Sequence, residues 1–171
     1  MKHLFPIILG LTDGIITALI FTSGLISGHS RIPFDLILKF SLGSSIISAL
    51  SYFIAKYSEL RGELIDTSIR LNPGSPLHLL KGRQGILIMM DAVTEAGISV
   101  ASGFFGAFIT MFPSFLFPGF GHISIISAVL ILGVLGSLIS QSLEGGWVRW
   151  SITFVLIGIT ASLMGIYLNI L

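Results

Sequence analysis

The chain has 171 residues, 53% of them hydrophobic and only 10% charged, with a formal net charge of +1 and a mean hydropathy of +0.99. Such values exclude an ordinary soluble fold, leave no room for a sizeable domain outside a membrane, and offer no basic surface for a nucleic acid. With no cysteine, disulfides, thiolate metal sites and iron–sulfur ligation are excluded too, which leaves oxygen, imidazole and thioether as possible ligands.

A helix needs roughly 20 apolar residues to cross the hydrocarbon of a bilayer. The first run that long reaches from Leu4 to Gly28; it carries Pro6 and Asp13 and lacks a small-x-small cleavage site, so it is expected to stay as a helix rather than be removed as a signal peptide. The second runs from Asp35 to Tyr57. A polar region follows, an acidic loop over about 58–90, punctuated by the turn signal Asn72-Pro73-Gly74-Ser75-Pro76. Further spans are expected at Thr94 to Leu116, Ile123 to Ser142 and Trp147 to Ile170. The connections His29 to Phe34, Phe117 to His122 and Leu143 to Gly146 are tight, as in antiparallel neighbours. The sequence therefore predicts an all-α integral membrane protein, a five-span bundle forming one domain over residues 1–171.

Lysine and arginine orient the bundle, because cytoplasmic flanks carry the excess. Lys2, Lys56, Arg61, Arg70, Lys81, Arg83 and Arg149 fall on one side, Arg31 and Lys39 on the other. The N-terminus and the long loop are expected in the cytoplasm, the C-terminus outside, and a prokaryotic plasma membrane is the simplest location. Trp147, Trp150 and Tyr57 stand near span ends, as interfacial aromatics do. The spans are rich in glycine, alanine and serine, which let helices approach closely in lipid. One such pattern, Gly24-x-x-x-Gly28, is a candidate seam between two copies of the chain.

Asp13 interrupts the first apolar run in the stretch Gly10-Leu11-Thr12-Asp13-Gly14-Ile15-Ile16-Thr17. Counting from Leu4, it lies roughly 13 Å along the helix. A charged carboxylate there costs at least about 2.5 to 3.5 kcal/mol, so it must face the bundle interior or water, and intramembrane acids of this kind mark ion or proton paths. Gly14 beside it, with Thr12 and Thr17, is expected to leave space and oxygens for a hydrated cation. Pairing with Lys56 of the second span is the structural alternative.

Glu59, Glu63 and Asp66 recur at i, i+4 and i+7, which puts them on one helix face, with Leu60, Leu64, Ser68 and Leu71 on another, so the cytoplasmic loop is expected to hold a short amphipathic helix with a carboxylate stripe. Arg70 follows Asp66 by four residues and pairs with it if that face is merely solvated. Asp91 and Glu95 are again four apart, just after Met89 and Met90. Carboxylates suit Mn2+ and Fe2+, and a thioether favours softer ions. No nucleophile paired with a base, no phosphate loop and no zinc motif occurs, so no enzymatic activity is expected.

The stretch from Gly10 to Thr17, followed by Ser23-Gly24-Leu25, resembles the first-helix signature of the vacuolar iron transporter family, Gly-Leu-x-Asp-Gly and then Ser or Thr. The order of features is similar as well: five spans, an acid-rich loop between the second and third, and a Gly-Ala to Pro segment closing the third, here Gly106-Ala107 to Pro113. The resemblance implies a homodimer whose first helices line a metal path and export Fe2+ or Mn2+ from the cytosol in exchange for protons. Asp13 then takes the place of the family's intramembrane carboxylate. Where that family tends to have Ser-Met-Ala-x-Gly-Glu-Tyr, this chain reads Ser51-Tyr52-Phe53-Ile54-Ala55-Lys56-Tyr57, so Tyr52 replaces the thioether and Lys56 the acid.

The resulting expectation is a proton-coupled transporter of divalent cations, with Fe2+ or Mn2+ as cargo and no resident cofactor. Its metal-handling residues are Asp13, Glu59, Glu63, Asp66, Asp91 and Glu95. Thr12, Gly14, Thr17, Ser48, Tyr52, Lys56, Met89 and Met90 line the pathway, and Gly24 and Gly28 form the dimer seam. Two other functions fit the same residues: a membrane scaffold or regulatory subunit through which nothing passes, and transport of a different small solute for which Lys56 is an asset.

Overall fold

Helix α1 spans Leu4–Ser27. Pro6 falls in its first turn, where a backbone N–H has no intrahelical acceptor and its loss costs nothing. Helix α2 spans Phe34–Leu71 and opens on the carbonyl of Pro33, which accepts from the N–H groups of Leu36 at 3.0 Å and Ile37 at 3.3 Å. Helices α3 (Arg83–Leu116), α4 (His122–Ser142) and α5 (Trp147–Leu168) follow. The computed structural model describes residues 4–27, 32–71, 83–117, 122–142 and 146–168. All five helices are long and apolar enough to cross a membrane. The turn expected at Asn72 to Pro76 lies outside the described residues.

Helices α1, α4 and α5 match the apolar runs to within about two residues at each end. Helices α2 and α3 do not stop where hydropathy falls. At 1.5 Å per residue α2 is about 57 Å long and α3 about 51 Å, against a hydrocarbon core of about 30 Å. The region expected as an acidic loop is thus largely the continuation of these two helices, α2 beyond Tyr57 and α3 before Thr94. Glu59, Leu60, Arg61, Glu63 and Leu64 are good helix formers, and the first strong breaker after them is Pro73.

Helix α1 is central and packs against all four others; α2 packs on α1 and α3, and α5 on α1 and α4. The result is three layers, with α1 and α3 between α2 and the α4–α5 pair. Helices α1, α3 and α5 run one way and α2 and α4 the other. The register between α1 and α3 is set by glycine. Gly10 faces the backbone of Ser99, Gly14 that of Gly103, and Gly106 that of Leu11. A Cβ on Gly14 would stand 2.2 Å from the carbonyl oxygen of Gly103, so the two backbones touch where side chains normally intervene. Gly165 brings α5 equally close to the Ile20 carbonyl of α1, and Gly136 brings α4 to Trp150 of α5.

Two apolar clusters fill the remaining space. Ile15, Leu19, Leu132, Leu135 and Phe154 join α1 to α4 and α5; Ala18, Ile37, Ala107 and Met111 join α1 to α2 and α3. Outward-facing Ile46, Ile47, Leu50, Phe105, Leu130, Val134, Leu156 and Leu163 form an apolar collar, which suits lipid as surrounding solvent.

Candidate functional site

Asp13 stands midway along α1, and its side chain is exposed on the surface of the single chain rather than enclosed by it. Its partner comes from α2: the Ser48 hydroxyl donates to the Asp13 carboxylate. The same hydroxyl lies 3.0 Å from the Ser44 carbonyl. With one proton to give, Ser48 serves one acceptor at a time, so the carboxylate has a donor that can also let go of it.

The neighbours of Asp13 do other work. Thr17 Oγ1 donates to the backbone carbonyl of Asp13 at 2.8 Å, turned back onto its own helix. Thr12 Oγ1 is buried with no hydrogen-bond partner among the described residues. The space expected beside Gly14 is occupied by the α3 backbone at Gly103. Gly24 is buried within the chain's own packing, and Gly28 lies outside the described residues.

One helical turn beyond Ser48, the Tyr52 hydroxyl donates to Glu95 Oε2 at 2.8 Å and ties α2 to α3. Another turn on, the Lys56 ammonium donates to Glu59 Oε2 at 3.1 Å; the lysine side chain is 23% exposed and the glutamate 57%. Lys56 is eight residues from Ser48, about 12 Å along the helix. It pairs with Glu59 and not with Asp13, so the Asp13–Lys56 pair that the scaffold alternative needs is not formed. Ser48, Tyr52 and Lys56 therefore lie at i, i+4 and i+8 on one face of α2, and each holds an acid on a different element: α1, α3 and α2 itself.

Farther out, Glu63, Asp66 and Asp91 are exposed, and no ion pair joins Asp66 to Arg70 among the described residues. Met89 and Met90, 55% and 60% exposed, sit on the part of α3 that continues past the apolar span. Glu59, Glu63, Asp66, Asp91 and Glu95 are thus strung along two helices, and among the described residues no three acidic or histidine side chains converge to hold a metal ion. A shallow recess of about 220 Å³ between Tyr57, Arg61, Gly85 and Ile88 lies apart from Asp13.

The spacing of Ser48, Tyr52 and Lys56 was readable in the sequence; the partners that α1 and α3 bring to them were not. Gly10-x-x-x-Gly14 was equally readable, and its place in the α1–α3 contact depends on which face of α1 meets α3. No family model matches this chain, and no curated protein and no solved structure gives a significant match.

Proposed function

We propose that the protein moves cations across a membrane by way of Asp13, and that two copies of the chain enclose the path. One observation carries this reading: a carboxylate about 13 Å into a membrane helix lies exposed on the single chain. Lipid is an unfavourable solvent for it, so protein or water must cover that face. A second copy packed against the face shared by α1 and α2 would enclose Asp13, Ser48, Tyr52 and Lys56 in a polar seam. The similarity of Gly10 to Thr17 to the first-helix signature of the vacuolar iron transporter family supports Fe2+ or Mn2+ as the cargo, exchanged for protons.

In this reading the acids on the extended parts of α2 and α3 raise the local concentration of cations on the cytoplasmic side of a prokaryotic plasma membrane. Glu59, Glu63, Asp66 and Asp91, with Glu95 just inside the third span, do so through their summed field rather than as a fixed ligand cage. Asp13 then holds either a cation or a proton. Ionised, it accepts from Ser48 and keeps lone pairs for the ion; protonated, it becomes a donor itself and releases the ion. Competition for one carboxylate couples the two fluxes. The test is uptake of Mn2+ and Fe2+ into proteoliposomes by the wild type, Asp13→Asn and Asp13→Glu. Loss in the first variant and partial retention in the second support the proposal; equal flux in all three overturns it.

A further inference from the structure

Lys56 lies on the polar face of α2, among three acids. Its ammonium bonds Glu59 at 3.1 Å, and the carboxylates of Glu95 and Glu63 lie within electrostatic reach of it. Tyr52, one turn deeper, is committed to Glu95. An ion passing from the exposed acids toward Asp13 along this face must go by the lysine. We propose that Lys56 is a charge barrier that sets the rate at which divalent cations reach Asp13. The inference rests on the reading that cations travel along the α2 face.

The repulsion from the ammonium depends on the valence of the ion. A unit positive charge about 6 Å from a passing ion, in water-like surroundings, slows a monovalent cation about threefold and a divalent one about tenfold, because the energy scales with the ion's charge. The Glu59 partner does not remove this effect. It offsets the lysine field while the lysine is present, and deleting the ammonium still changes the local charge by one unit, leaving Glu59 unopposed. Deleting both members of the pair changes the net charge by nothing. Salt separates the effect from a packing change, since the screening length falls from about 30 Å at 0.01 M to about 3 Å at 1 M ionic strength.

The experiment measures initial Mn2+ uptake into proteoliposomes by the wild type, Lys56→Gln, Lys56→Arg and the double variant Lys56→Gln/Glu59→Gln. Each is first checked for a monodisperse peak on size exclusion. The expected result is about a tenfold rise in Lys56→Gln at low ionic strength, shrinking toward the wild-type rate in 1 M salt, with no rise in Lys56→Arg and none in the double variant, which loses a cation-gathering acid together with the lysine. An unchanged or reduced rate in Lys56→Gln, while wild-type uptake still depends on Asp13, overturns the barrier and leaves the cation reading standing. A rise shared by the double variant overturns it as well, because packing and not charge would then be responsible. Absence of Mn2+ uptake by the wild type overturns both. Loss of folding in Lys56→Gln with normal Lys56→Arg would assign the ammonium to stability and also defeat the proposal.

Discussion

The substitution Gly14→Ala adds one methyl group next to Asp13, and two principles give it opposite signs. Alanine is the better helix former by about 1 kcal/mol, which favours the variant. Against that, the new Cβ would stand 2.2 Å from the Gly103 carbonyl oxygen and 3.0 Å from the Ala107 nitrogen, both backbone atoms that no rotamer change can move. A carbon–oxygen contact relaxes at about 3.3 Å, so α1 and α3 must part by about 1 Å. A gap of that size forfeits a quarter to a half of the dispersion energy wherever it opens, and overpacking of this kind costs typically about 1 to 3 kcal/mol. The clash should win. Thermal unfolding in detergent should show Gly14→Ala melting roughly 2 to 12 °C below Gly43→Ala, which gains the same helix propensity without the clash, at roughly 2 to 4 °C per kcal/mol for a chain of this size. Gly43→Ala is the control, because a Cβ there meets nothing within 4 Å. If the two variants melt together, the close α1–α3 crossing is wrong, and with it the placement of Asp13.

Other consequences follow from the bonds along α2. Ser48→Ala removes the donor to Asp13 and should slow Mn2+ uptake about 3- to 10-fold, the worth of one hydrogen bond of about 0.6 to 1.4 kcal/mol, while Ser48→Thr keeps the rate. Tyr52→Phe deletes the α2–α3 bond to Glu95 and should destabilise the protein by about 0.5 to 2 kcal/mol in denaturant titration; in a Glu95→Ala background the same change should cost much less, which a double-mutant cycle reads directly. A dimer that covers Asp13 should bring two copies of α1 together near Leu9, which precedes Asp13 by one turn and is 42% exposed. As the chain has no cysteine of its own, Leu9→Cys should give an oxidised dimer on a gel, and Ser162→Cys, buried on α5 and nearly the same size, should not.

The number of spans and the ends of α1, α4 and α5 were legible because there the apolar run and the helix stop together, at turn residues such as Gly146 or at Ser27. They part company at α2 and α3. Hydropathy reports where a chain leaves lipid, whereas a helix ends where its backbone loses hydrogen bonds, and nothing between Tyr57 and Leu71 forces that loss. Asp13 stood out in the sequence as a candidate because a carboxylate in an apolar run is costly whatever surrounds it. Its Ser48 partner was not, since Ser48 follows by 35 positions and their meeting depends on the register of α1 against α2. The same limit applied to the glycines. Gly10 with Gly14 and Gly24 with Gly28 share one spacing, and only the direction in which each pair faces separates a contact within the chain from a surface left for another molecule.

If one carboxylate exchanges a cation for protons, the two fluxes rise and fall together, and recording both at once tests this. Proteoliposomes carrying a metal-sensitive and a pH-sensitive dye would be given an outward proton gradient and external Mn2+. In the wild type, Mn2+ should enter as protons leave, in a fixed ratio, and accumulate above its external concentration; in Asp13→Asn both signals should be lost together. Mn2+ movement that ignores the proton gradient, or a coupled flux that survives Asp13→Asn, would show that Asp13 is not the shared carrier of cation and proton.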